Sequence, residues 1–102
     1  IDCAAADSLG LCLFGRSVTN ESMDFVGEAL NQAQGTGYDE NFFQSLGAET
    51  LKLEWDFNKQ AGFTEEDDEL PSFFFDEPLE PSGKTQRHKA ADVNKAMRAL
   101  IG

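Results

Sequence analysis

Between Asp39 and Gly62 apolar side chains recur at helical spacing, and this stretch constrains the fold more than any other. Phe42, Leu46, Leu53 and Phe57 fall along one face, and Phe43, Leu51 and Trp55 widen it, as an amphipathic helix against a core requires. Asp39 is placed to cap such a helix, which is expected to run to about Ala61. Gly62 is its natural C-terminal stop. On this reading Trp55 and the Phe42, Leu46, Leu53, Phe57 stripe are core rather than a substrate pocket.

Two further segments carry the same period. Met23, Phe25, Val26, Ala29, Leu30 and Ala33 predict a helix over about Glu21–Gln34, capped by Thr19 or Asn20 and ended by Gly35 and Gly37. Val93, Met97, Leu100 and Ile101 predict a last helix over about Asp92–Ile101. The opening Asp7–Gly15 segment reads as a loop entering a short buried helix. Asp7 or Ser8 is available as its cap, and Gly10 allows another backbone or a ligand to approach closely.

Thr64 followed by Glu65, Glu66, Asp67 and Asp68 is a helix-start signature with room for only a short turn before Pro71. Phe73, Phe74 and Phe75 are too apolar to sit in water. Pro78 and Pro81 keep the next stretch extended, and Ser82–Lys89 is a polar basic loop. No run alternates with period two, and no internal repeat is present. The expected class is therefore all-α: a small bundle of three to four helices with an irregular Pro/Phe-rich connection.

A chain of 102 residues allows one domain, and 40% hydrophobic content with nine Phe gives it a core. The apolar first segment and the Phe73–Phe75 run exceed what so small a core hides, so part of the surface should expose a former interface. The sequence opens on Ile1-Asp2-Cys3-Ala4-Ala5-Ala6, which reads as mid-domain sequence. The expectation is a fragment of a larger helical domain.

The formal net charge of -11 opposes phosphate backbones and anionic lipid, so nucleic acid and membrane surfaces are not expected partners. No apolar run approaches the roughly 20 residues of a membrane helix, and no leader is recognisable, which points to a cytoplasmic chain. Cys3 and Cys12 permit a disulfide on count alone, but nothing suggests secretion. With His88 as the single histidine, an autonomous zinc site is not expected. The Glu65–Glu69 run lacks the alternating ligands and mid-loop Gly of a calcium loop, and His88 has no nucleophile to serve.

Two blocks of residues carry a resemblance. The first is Asp7-x-x-Gly10-Leu11-Cys12; the second is Gly62-Phe63-x-x-x-Asp67-Asp68-x-Leu70-Pro71-x-x-Phe74, followed by Glu77-Pro78-Leu79. Leu53-Glu54-x-x-Phe57-Asn58 fits the helix between them. Together they resemble the C-terminal part of aldehyde:ferredoxin oxidoreductases, over roughly positions 7 to 79. The resemblance implies that residues 1–102 are a C-terminal helical domain fragment of such an enzyme. It also implies a tungsten or molybdenum bis-pterin and a [4Fe–4S] cluster in the intact protein, and neither in the isolated fragment.

By the same resemblance, Asp7 corresponds to a carboxylate that hydrogen-bonds a pterin ring, and Gly10 and Leu11 give close backbone approach. Cys12 corresponds to the fourth cluster ligand, the other three coming from an upstream Cys-x-x-Cys-x-x-x-Cys that this chain lacks. The residue types suit these roles: a carboxylate accepts from the pterin N–H row, and a thiolate ligates cubane iron. No catalytic residue is expected here, because the redox chemistry belongs to the cofactors. The implied partners are the remaining domains of the parent chain, an aldehyde and a ferredoxin-type electron acceptor.

Each residue also has a plainer reading. Asp7 can simply cap a helix, Cys12 can be a buried small hydrophobe, and Cys3 matches no motif position. The competing functional reading is a self-standing acidic helical interaction module with a Phe-rich docking surface. The family usually closes with a Tyr-Tyr-containing helix ending in Arg-Gly-Trp, whereas this chain ends Met97-Arg98-Ala99-Leu100-Ile101-Gly102.

Overall fold

Glycine and proline cut the chain into helices much where their backbone chemistry dictates, and the computed structural model is all-α. It describes residues 1–102 apart from the side chain of Asn20, so a capping role for Asn20 lies outside the described residues. The helices are α1 (Asp2–Ser8), α2 (Arg16–Glu21), α3 (Asp24–Gln34), α4 (Phe42–Gln60), α5 (Phe73–Asp76) and α6 (Ala90–Ile101), with 3-10 turns at Leu13–Gly15 and Glu65–Asp68. Among the described residues the only β pairing is one antiparallel bridge between Leu79 and Lys84. Two units organise these elements, Ile1–Asp56 and Phe57–Gly102.

In the first unit the core is Ala5, Ala6, Val26 and Phe43, with Leu9, Leu30 and Phe42 packed against it. Phe43 is 1% exposed, and burying a side chain of that size contributes about 1.5–3 kcal/mol. Two hydrogen bonds tie α1 to α4. Gln44 Nε2 donates to Asp2 Oδ1, and the Ser8 and Thr50 hydroxyls lie 3.0 Å apart. Both pairs are 42 residues apart in sequence, so the two helices run side by side in the same direction. Gly47 makes this closeness possible: a Cβ there would fall on the Ile1 carbonyl oxygen and lie 2.9 Å from Ile1 Cγ2.

The α3–α4 connection is organised by Asn31. Its Oδ1 accepts from the Tyr38 N–H and the Thr36 hydroxyl, and its Nδ2 donates to the Tyr38 carbonyl, each at 2.8 Å. Asp39, expected to cap α4, lies three residues before it: its Oδ1 accepts from the Asn41 N–H at 2.9 Å and so shapes the turn that enters the helix.

In the second unit the acidic 3-10 turn lies along α6. Glu65 pairs with Arg98, Asp68 Oδ2 accepts from Asn94 Nδ2 at 3.0 Å, and Glu69 Oε2 accepts from the Ala90 N–H at 3.2 Å. Lys89, the residue before α6, provides no side-chain cap, so the Glu69 carboxylate supplies one from a distance. Thr64 and Asp67 form the anticipated reciprocal start of the 3-10 turn. Lys89 Nζ sits 3.3 Å from the Phe75 ring centroid, a cation–π contact.

Several sequence expectations need correction. The helix expected over Glu21–Gln34 is broken at Ser22, which leaves helical geometry (φ -140, ψ 77) and whose carbonyl accepts from the Phe25 N–H. Thr19 therefore lies inside α2, bonded to the Arg16 carbonyl, and is not a cap. Of the face expected on α4, Phe43 is buried and Phe42 packs on the core, but Leu53 and Phe57 are each 71% exposed, and Gly47 is buried beside Phe43 instead. In α6, Ala90 and Asn94 are buried while Val93 and Leu100 face out.

The anticipated uncovered apolar surface is present. Phe14 is 97% exposed, and Phe63, Phe73, Phe74 and Leu79 are also exposed.

Candidate functional site

The Asp7–Cys12 segment is the C-terminal end of α1 and the turn that follows it. After Ser8 the helix closes with two characteristic bonds. The Gly10 N–H donates to the Asp7 carbonyl at 3.0 Å, and the Leu11 N–H donates to the Ala6 carbonyl at 2.8 Å. This is a Schellman motif, and it places Gly10 in the left-handed region at φ 68, a conformation an L side chain resists. The space beside Gly10 is open: a Cβ built there meets no atom within 4 Å. Leu11 occupies the position whose side chain commonly packs back on the helix end, and it shares a recess with Ala6.

Cys12 emerges immediately after this turn in extended geometry (φ -68, ψ 122), as a free, exposed thiol. Its carbonyl accepts from the Gly15 N–H at 2.9 Å, starting the 3-10 turn that leads into α2. The recess beside it is lined by Asp2, Cys3, Ala6, Leu11, Cys12, Leu13, Arg16 and Thr19. Leu11 and Cys12 thus share one concavity. Asp7 and Gly10 belong to the same turn but do not line it.

The capping role considered for Asp7 and Ser8 is corrected by their placement. Both lie in the last turn of α1, and neither begins a helix. Ser8 Oγ donates back to the Ala4 carbonyl at 2.7 Å. The exposed Asp7 carboxylate has no hydrogen-bond partner among the described residues, and it stands at the negative end of the helix dipole. That position costs about 0.3–1 kcal/mol relative to a neutral residue. Helix stability therefore does not account for Asp7, and its carboxylate is open to an outside N–H donor. Nor is Cys12 the buried small hydrophobe that the plainer reading makes it, since it is exposed.

The second block repeats the same closure. The Gly62 N–H donates to the Lys59 carbonyl at 3.2 Å and the Phe63 N–H to the Asn58 carbonyl at 3.0 Å, with Gly62 at φ 95. Within this block, Asp67 Oδ2 accepts from the Thr64 N–H at 2.7 Å and the Thr64 hydroxyl at 2.8 Å. Those bonds hold the Asp67 carboxyl below its ordinary value, the backbone bond contributing most. Asp67 and Asp68 are thus occupied by protein partners and serve the architecture of the second unit.

Sequence reasoning did not single out Asp2 or Arg16, read Thr19 only as a cap, and left Cys3 without a role. Cys3 and Ala6 are spaced i, i+3 on α1, a signal that both meet the same surroundings. The return of Arg16 toward Cys12 depends on the 3-10 turn at Leu13–Gly15, which had no periodic signature. Among the described residues no group of three or more His, Cys, Asp or Glu side chains is arranged to hold a metal ion, and no helix is long and apolar enough to cross a membrane.

A family model described as aldehyde ferredoxin oxidoreductase, domains 2 & 3, matches residues 2–100. No match was found among curated proteins or among solved structures.

Proposed function

Because this chain belongs to the aldehyde ferredoxin oxidoreductase family, over domains 2 and 3 of that family, we propose that it forms the cofactor-contacting helical part of a parent oxidoreductase. The parent oxidises an aldehyde to a carboxylic acid and passes the electrons to a ferredoxin-type acceptor in the cytoplasm. When bound, a tungsten or molybdenum bis-pterin supplies the two-electron chemistry, and a [4Fe–4S] cluster carries electrons outward one at a time.

The residues present fit those groups. Asp7 offers an uncommitted carboxylate, an acceptor for the pterin N–H edge, and charge-assisted bonds of this kind are among the stronger ones. Gly10 leaves open space where a side chain would otherwise stand, and the left-handed turn it permits, two residues before Cys12, ends α1. Cys12 offers one exposed thiol, the donor type for a cubane iron, as the fourth ligand of a set completed upstream. The observation that carries this reading is Asp7, an unpartnered carboxylate at the helix end where the dipole disfavours it, five residues before a free thiol.

No residue here is assigned to proton transfer or to substrate selection. The chain holds and orients; α1 is fixed against α4, and the turn presents its ligands from a rigid element. The exposed Phe14, and separately the exposed Phe73 and Phe74 of the second unit, are assigned to contact with the remaining domains of the parent.

The test is metal, pterin and iron content of the intact parent purified without oxygen. Wild type is expected to hold tungsten or molybdenum with about four irons. Cys12→Ala should lose or disturb the cluster and Asp7→Ala should lose pterin. A parent with neither metal nor cluster would return the chain to the acidic interaction-module reading.

A further inference from the structure

Arg16 is the one cationic side chain lining the recess beside Cys12. The turn that brings it there is short: the Gly15 N–H bonds the Cys12 carbonyl at 2.9 Å, and the Arg16 N–H bonds the Leu13 carbonyl. Arg16 is thereby fixed one 3-10 turn after Cys12, at the first position of α2. Its side chain is exposed and forms no ion pair or hydrogen bond among the described residues. This is notable in a chain with 19 acidic and 8 basic residues, where a guanidinium has many potential partners. Asp2, the carboxylate that shares the recess, accepts from Gln44 instead.

An unpaired guanidinium beside an open thiol is arranged for an anion that arrives with that thiol. We propose that Arg16 is a positioning residue for the iron–sulfur cluster held through Cys12, raising its reduction potential by its fixed charge and by N–H donation toward cluster sulfur. This rests on the cluster-ligand reading of Cys12 given above. Its physical basis is simple: reduction adds one negative charge to an already anionic cubane, so a nearby cation stabilises the reduced state more than the oxidised one. Arg keeps its charge at any working pH and presents several N–H donors, which suits an extended anionic surface.

The experiment is a redox titration of the cluster in the anaerobically purified parent, followed by electron paramagnetic resonance, for wild type, Arg16→Gln, Arg16→Lys and Cys12→Ala. Arg16→Gln is expected to keep wild-type iron content while its potential moves negative. The expected shift is up to about tenfold in the one-electron equilibrium, equivalent to about 59 mV. Arg16→Lys, which keeps the charge, should recover most of that shift. An unchanged potential in Arg16→Gln with iron retained overturns the role of Arg16 and leaves the cluster reading standing. An unchanged cluster signal in Cys12→Ala overturns the cluster reading itself, and this proposal with it. Should Arg16→Gln lose iron, Arg16→Lys decides: a wild-type potential supports the charge role, and a displaced potential or a lost cluster overturns it.

Discussion

The Leu11 N–H donates to the Ala6 carbonyl at 2.8 Å, and this bond joins the end of a helix to the start of the candidate cofactor contact. With Gly10 left-handed between them, the chain reverses away from α1 and delivers Cys12 as an exposed thiol. The spacing of Asp7, Gly10, Leu11 and Cys12 therefore has a backbone explanation as well as a chemical one. Gly10 and Leu11 occupy the two positions on which a Schellman closure depends.

That relationship makes Gly10→Ala informative. The space beside Gly10 is open, so the methyl group meets no steric obstacle and the penalty is the left-handed backbone alone. A loss of about 1–2 kcal/mol is expected in chemical denaturation of the chain. In the parent, iron content should fall with it, because Cys12 is displaced. Gly10→Asn should lose less on both counts, since Asn tolerates this conformation better than Ala. Equal losses for Ala and Asn would remove the backbone explanation.

Gly47→Ala tests the opposite circumstance, ordinary backbone with no room. The added methyl falls on the Ile1 carbonyl and forces α1 away from α4. Overpacking of this kind costs about 1–3 kcal/mol. Gly15→Ala, where the added carbon meets nothing within 4 Å, is the control and should change stability much less. Comparison of the two urea midpoints decides the matter.

The sequence revealed the helical class, the glycine stops at Gly35 and Gly62, and the Thr64 turn because these follow from local backbone chemistry. Which face of α4 is buried was not legible in the same way. Phe42 and Phe43 meet the core as their spacing suggests, but nothing periodic marks Gly47 as buried or Leu53 and Phe57 as exposed, and the approach of α1 to Gly47 sets the buried side. Ser22 hid a helix break because a lone serine is compatible with a helix interior. Asp7 and Cys12 were marked by motif spacing. Arg16 and Cys3 join the recess through a turn that leaves no periodic trace.

Asp67 predicts a specific acid response. Thr64 holds its folded carboxyl below the ordinary 3.8, so the ionised form is favoured by folding. The sign follows: the contribution is present above the unfolded value and is lost as pH falls through the folded one. Asp67→Asn should flatten that part of the stability curve, below about pH 4: the variant is slightly less stable than wild type at neutral pH, by an amount that solvent screening keeps small, and the two converge in acid. Thr64→Val, which keeps the stronger backbone bond and loses the hydroxyl, should move the Asp67 titration only part of the way back. Side-chain carbon NMR reads both.

Asn94 and Asp68 allow a cleaner test of the second unit. Asn94 is 5% exposed, and its Nδ2 donates to Asp68 Oδ2 at 3.0 Å, so the turn and α6 share one partly buried polar contact. Asn94→Asp replaces the donor with a second carboxylate, setting like charge against like in a partly buried position. A loss of about 1–3 kcal/mol is expected near neutral pH, easing as acid protonates one of the pair. Asp68→Asn on top of Asn94→Asp restores a donor and an acceptor with their places exchanged, and should recover most of that loss. The coupling from the four denaturation curves measures the contact directly. A double variant no more stable than Asn94→Asp would mean that α6 is held by Glu65 with Arg98 and by Glu69 at its N-terminus, with the Asn94–Asp68 pair contributing little.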